Sequence, residues 1–370
     1  MPPRTMIDWD LAVATAARLA GPGPQISRPE AEATVSDLRA GAARSTGLVR
    51  DFTGLVAGER TAPVLVVDRT GWVQANADGF ADIIGPLVER MQRHRTPGAV
   101  TQAVGSKVTG LEVGGLLGFM SSRVLGQFDP FYSGLDPVSA PADEDAEADL
   151  LPAAPAAGRL LLVAPNIVHV EKELRVDPRD FRLWVCLHEE THRVQFTAVS
   201  WMRDHIRGEI ERLLASVDLD PGHVAALVGE GVRRLGDVIR GDEEVSLVDL
   251  FSTPEQRVVL DRLTGVMSLL EGHADVVMDG VGPTVIPTVD RIRAKFDRRR
   301  RGAGPVDRVL RRLLGLDAKM AQYRDGAAFV RRVVDRVGMD DFNAVWAEPA
   351  HLPSKAEIAD ADAWVRRVHG

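Results

Sequence analysis

Apolar residues recur at three-to-four spacing over most of this chain, a period that predicts helices. One such stripe runs through Phe181, Trp184, Val185, His188, His192, Val199, Met202 and Ile206. It opens on Asp177-Pro178, an N-cap followed by proline at the first helical position, with Asp180 suited to the positive end. A second stripe runs through Val259, Leu263, Val266, Met267, Leu270, Ala274 and Met278 up to Gly280 and Pro283, behind a start formed by Thr253, Pro254 and Gln256. Residues 1–60 predict helices broken at Gly21 to Pro24 and restarting at Ser27 and Pro29. Asp220-Pro221 caps a further helix through Val224, Leu227, Val228, Val232 and Leu235, and Leu316 to Val337 is helical. Alternation and β-branching point to few strands. Val64 to Val67 is one, with Trp72-Val73 returning beside it after the Thr70-Gly71 turn, and Leu160 to Val163 is another.

The pattern therefore predicts an α+β chain, predominantly helical with a small sheet. Three regions follow: a mostly helical 1–135 with a short strand pair, an exposed Ala/Pro/Asp/Glu-rich loop over 136–158, and 159–370, which carries a helical insertion at 207–250.

Two polar groups interrupt the apolar stripes. His188, Glu189, Glu190, Thr191 and His192 spell HEETH, an HExxH motif that places two imidazoles one helical turn apart, where both can reach one Zn²⁺. Glu189 is then placed to serve as general base toward water. Imidazoles in an inward stripe need partners, since burying an unpaired polar group is costly. A third ligand is expected on the later helix, where Glu271 and Asp275 stand four residues apart within or beside the apolar pattern. Glu271 is the expected zinc ligand, with Asp275 accepting the outer N–H of a ligand histidine, His188 in the first instance. His273, about 200° round the helix from Glu271, is the alternative third ligand. Tyr323, one of two tyrosines, is the candidate oxyanion donor.

HExxH followed on a later helix by ExxxD resembles the glutamate-zincin pattern, here His188, Glu189, His192, Glu271 and Asp275. More closely, the blocks HEETHRVQF and LLEGHADVVMD, with MIDWDLAVATAARL near the start and KMAQYRDGAAFV near the end, resemble the actinobacterial DUF2342 family. Its members are described as zincin-like hydrolases, and one branch is named for association with coenzyme F420 biosynthesis. The resemblance implies a zincin-like metalloprotease fold and one zinc per chain. It also implies that the strand before the HEETH helix, Arg159 to Asn166, edges the cleft and pairs with an extended peptide; a fully buried structural strand is the alternative. The long spacing from His192 to Glu271 implies an insertion with helices of its own.

Composition narrows the function. A net charge of -8 gives no general attraction to nucleic acid or anionic membrane. The arginine run Arg298 to Arg301 has no interleaved aromatics, so it reads as a solvated helix end. One cysteine excludes an internal disulfide framework, and Cys186 falls on the far side of the helix from His188, as packing. Val108 to Leu125, with Gly110, Gly114 and Gly118 at small-xxx-small spacing, contains Glu112 and Arg123 and reads as a closely packed helix rather than a membrane span. The N-terminal apolar stretch lacks the look of a secretory segment, so the cytoplasm is the expected location. The expected activity is zinc-dependent hydrolysis of an amide, with a peptide or small amide as substrate and no nucleic acid or membrane partner. Two alternatives stand beside it. One is a non-catalytic scaffold serving a protein partner, marked by a fourth protein ligand such as His273; the other is a small-molecule amide or ester hydrolase linked to coenzyme F420 metabolism.

Overall fold

The computed structural model describes residues 7–57, 62–94, 99–132, 158–216, 253–301 and 316–370. Helices α1 (Trp9–Ala20) and α2 (Arg28–Thr53) lead into strand β1 (Val64–Val67), α3 (Arg69–His94) and α4 (Ala99–Ser121). Strands β2 (Gly126–Asp129) and β3 (Arg159–Val163) follow, then α5 (Ala164–Leu174), α6 (Pro178–Ala198) and α7 (Met202–Ala215). The remainder is helical: α8 (Pro254–Val285), α9 (Val289–Arg301), α10 (Leu316–Phe342), α11 (Lys355–Ala359) and α12 (Ala361–His369). The fold is α+β and predominantly helical, as the periodicity predicts. Most of the 136–158 loop and the capped helix at Asp220-Pro221 lie outside the described residues.

The caps act as the sequence indicates. Ser27, Asp177 and Thr253 each accept a backbone N–H from the first turn, and Thr253 with Gln256 closes a reciprocal capping box. Helix α8 continues through Pro283 to Val285, two residues past the expected stop.

The sheet has the order β1-β3-β2. Strand β3 pairs parallel with β1 (Val64 beside Leu160) and antiparallel with β2 (Gly126 beside Leu162), and every one of its residues is buried. This corrects the edge-strand expectation for Arg159 to Asn166. That segment is the middle of the sheet, its backbone is paired on both sides, and the chain turns into α5 at Ala164. The edge beside the HEETH helix belongs to β2, whose residues GQFD carry no β-branched run.

A second correction concerns Trp72-Val73, which lie inside α3. Asp68 Oδ1 accepts the Gly71 N–H at 2.7 Å, so Thr70-Gly71 forms the first turn of a helix instead of a hairpin. Trp72 is buried against the sheet, and its indole donates to Gln127 Oε1.

The expected continuous stripe from Phe181 to Ile206 is divided. Helix α6 ends at Ala198 and α7 starts at Met202, with Val199 out of helical conformation at φ -104, ψ 88. The break redirects the chain between two cores. Phe181 to Leu187 pack with α2, α5, α9 and the sheet, whereas Val199, Met202 and Ile206 pack with α10 and the C-terminal helices. Helix α8 serves both cores, giving Val277, Met278 and Val281 to the first and Val266, Leu269 and Leu270 to the second. Its crossing with α10 is backbone on backbone. A Cβ on Gly272 would fall 2.1 Å from the carbonyl carbon of Gly326, so neither helix can carry a side chain there.

The small-residue face of α4 packs on α1: a Cβ on Gly114 would meet Ala12 O at 2.6 Å, and one on Gly118 would meet Leu19 Cβ at 2.8 Å. Among the described residues, no helix is long and apolar enough to cross a membrane.

Candidate metal centre

Helices α6 and α8 bring three donors to one point. His188 and His192 stand one turn apart on α6, their Nε2 atoms 3.3 Å from each other. Glu271 on α8 places Oε2 3.5 Å from His188 Nε2 and 3.6 Å from His192 Nε2. Three donors about 3.5 Å apart are each about 2.0 Å from the point equidistant from them, which matches Zn–N and Zn–O bonds of about 2.0–2.2 Å. Two imidazoles and a carboxylate are the donor types of a catalytic zinc site, which uses three protein ligands and leaves a position open. The residues present fit the metal.

The electrostatics agree with the geometry. Burial works to raise the Glu271 carboxyl, but His192 and His188 overcome it and hold the group well below the usual carboxylate range. Burial works to lower His192, and the negative charge of Glu271, with Glu189 adding to it, pushes it up to about 9. Together these shifts describe a pocket that favours positive charge.

Glu189 points elsewhere. Its carboxyl is buried beneath β2, where a Cβ on Gly126 would lie 2.5 Å from Glu189 Cγ and 2.6 Å from Cδ. Burial raises its proton affinity, while the neighbouring imidazoles lower it less. Glu189 is thus a buried carboxylate close to both imidazoles and outside the donor triangle.

The other members of the motif are structural. Glu190, fully buried, receives Arg193 through Nε and Nη2 as well as the Thr46 hydroxyl at 2.7 Å, which fastens α6 to α2. Arg193 also donates to Ala62 O at 3.2 Å. Cys186 is buried against Gly41 and the Leu38 carbonyl, and burial pushes its thiol up, consistent with packing.

The expectation for Asp275 is corrected, and the alternative ligand His273 stands away from the donors. Asp275 stands toward solvent between Arg293 at 3.6 Å and Arg331 at 3.8 Å, its side chain 42% exposed. Although it shares a helix face with Glu271, one further turn of α8 carries it beside α9 and α10 instead of α6. His273 is buried away from the donor triangle, with its ring against Phe342 and Trp346 at centroid distances of 5.7 and 5.3 Å. Burial and the charge of His192 push it down to about 3. Among the described residues, the metal-donor cluster is His188, His192 and Glu271. Tyr323 lies on α10, but its side chain is outside the described residues.

The partner that the sequence left unassigned is Gln195. Its Oε1 lies 3.0 Å from His192 Nδ1, and its Nε2 lies 3.0 Å from Leu270 O and 2.9 Å from His273 Nδ1. The available signal was its position, three residues after His192 and therefore on the same face.

A crystal structure described as "a putative hydrolase with a novel fold" from Chloroflexus aurantiacus is similar over 98% of this chain and 99% of that one, with 31% sequence identity and a TM-score of 0.68. No curated protein matches. Residues 7–365 match the zincin-like metallopeptidase family. With a match of that extent and an HExxH helix facing a glutamate on a later helix, the chain belongs to the zincin-like metallopeptidase family.

Proposed function

We propose that this protein is a zinc-dependent peptidase that cleaves an amide bond, with zinc held by His188, His192 and Glu271 and with Glu189 as general base. The observation that carries this reading is the convergence of three donors at zinc-bonding separation beside a buried carboxylate that is not one of them. Bound zinc supplies Lewis acidity, lowering the pKa of water and polarising a carbonyl. Glu189 takes the proton of the attacking water and delivers it to the leaving nitrogen.

A peptide is favoured as substrate by the place of β2. Among the described residues no strand pairs with its outer edge, and Gly126 brings that edge against Glu189 without an intervening side chain. An extended peptide adding to this edge would lie alongside the base. The scaffold alternative loses its marker, since His273 engages Gln195 and the aromatic rings rather than the donors. The coenzyme F420 association remains an implication of family resemblance and calls for small amides and esters to be included in the test.

The test is turnover of a peptide library, with small amides and esters beside it, by zinc-loaded protein and by Glu189→Gln. The variant is expected to keep zinc and lose turnover by about 10²- to 10⁴-fold. Comparable turnover by both proteins would refute the role of Glu189, and loss of zinc would make Glu189 a ligand.

A further inference from the structure

Gln195 touches both helices that carry the donors, and its bonds determine one another. The Leu270 carbonyl can only accept, so the Gln195 atom 3.0 Å away must be the amide nitrogen. That orientation turns Oε1, an acceptor, toward His192 Nδ1, which must therefore hold the proton. His192 then has Nε2 left for the donor triangle. The same amide nitrogen donates to His273 Nδ1, which leaves the His273 proton on Nε2, a buried atom with no hydrogen-bond partner among the described residues. The aromatic packing of Phe342 and Trp346 holds that ring in place.

We infer that Gln195 is a positioning residue of the metal centre: it fixes the tautomer of His192 and ties that ring to the backbone of α8 one residue before Glu271. This rests on the zinc reading above. A ligand histidine usually gives its outer N–H to a carboxylate, carbonyl or water, and its partner governs how well the metal is held. Here a neutral amide fills that role, and its second arm bonds the helix that carries Glu271.

The experiment uses the full chain, first zinc-free and then loaded with Zn²⁺ alone. Zinc affinity is measured by competition with a chromogenic chelator, and the protonated nitrogen of each histidine ring is assigned from two-bond proton–nitrogen spectra. Zinc-loaded wild type is expected to carry the His192 proton on Nδ1, exchanging slowly with solvent. Gln195→Leu, which removes both arms, is expected to weaken zinc binding by about 10- to 100-fold and to make that proton exchange rapidly. Gln195→Glu keeps an acceptor for His192 but sets a carboxylate against the Leu270 carbonyl, so it should retain the Nδ1 proton while melting at lower temperature.

A folded Gln195→Leu with wild-type zinc affinity would overturn the inference, as would a wild-type His192 proton found on Nε2. If Gln195→Leu does not fold, the wild-type and Gln195→Glu spectra decide by the same criterion. A wild type that binds no zinc would instead remove the reading on which the inference rests.

Discussion

The Cα of Gly126 on the edge strand stands against the carboxyl of Glu189, so close that a methyl group on the glycine would overlap Glu189 Cγ at 2.5 Å. Gly126→Ala must therefore move either the strand or the base. Because the nearest atoms that a side chain on Gly126 would meet all belong to Glu189 and none to a donor, we expect this variant to keep its zinc and to lose turnover about as severely as Glu189→Gln. Elemental analysis beside a peptide-cleavage assay checks this. Full activity would show that the strand yields without disturbing the base.

Wild-type protein should bind about one zinc per chain, while His188→Ala and Glu271→Ala should each fall well below that in elemental analysis. Zinc should also raise the melting temperature, since free metal at a hundred times Kd stabilises the folded chain by about 2.7 kcal/mol. Full stoichiometry in either variant would put the metal elsewhere.

Asp275→Asn should leave zinc affinity within about twofold of wild type. Its partners are Arg293 and Arg331, both partly exposed, and such pairs contribute about 0–1 kcal/mol. A loss of 10-fold or more in a chelator competition would return Asp275 to the metal site.

Glu190→Ala should destabilise the fold by about 3–5 kcal/mol, because it leaves the Arg193 guanidinium buried without its counterion. Denaturant unfolding measures this. Thr46→Ala, which removes one hydroxyl from the same cluster, should cost about 1–3 kcal/mol. An unchanged midpoint in Glu190→Ala would mean that α6 is held to α2 by apolar packing alone.

Much of this arrangement could be read before the structure, because helix starts and a short-range motif are local. Asp177 and Thr253 announce their helices through side chains that bond within three residues, and HEETH carries its geometry in its spacing. Glu271 was legible as a carboxylate within an apolar pattern, an arrangement that needs compensation. Features set by tertiary contacts were not. Strand β2 has only four residues, GQFD, and owes its conformation to pairing with β3. Asp275 shares a face with Glu271, and sequence alone does not reveal that the neighbouring element changes within one turn. Gln195 reads like any helical glutamine until Leu270 and His273 arrive from far along the chain.

The crossing at Gly272 and Gly326 has a consequence for the newly made chain. His188 and His192 are synthesised well before Glu271, and the helix bearing Glu271 can meet the backbone at Gly326 only once that residue has been made. During translation the early histidines therefore lack the third donor and the contact that seats it. A nascent chain arrested before Gly326 is therefore expected to hold zinc more weakly than the full chain, although all three donors are already present in it.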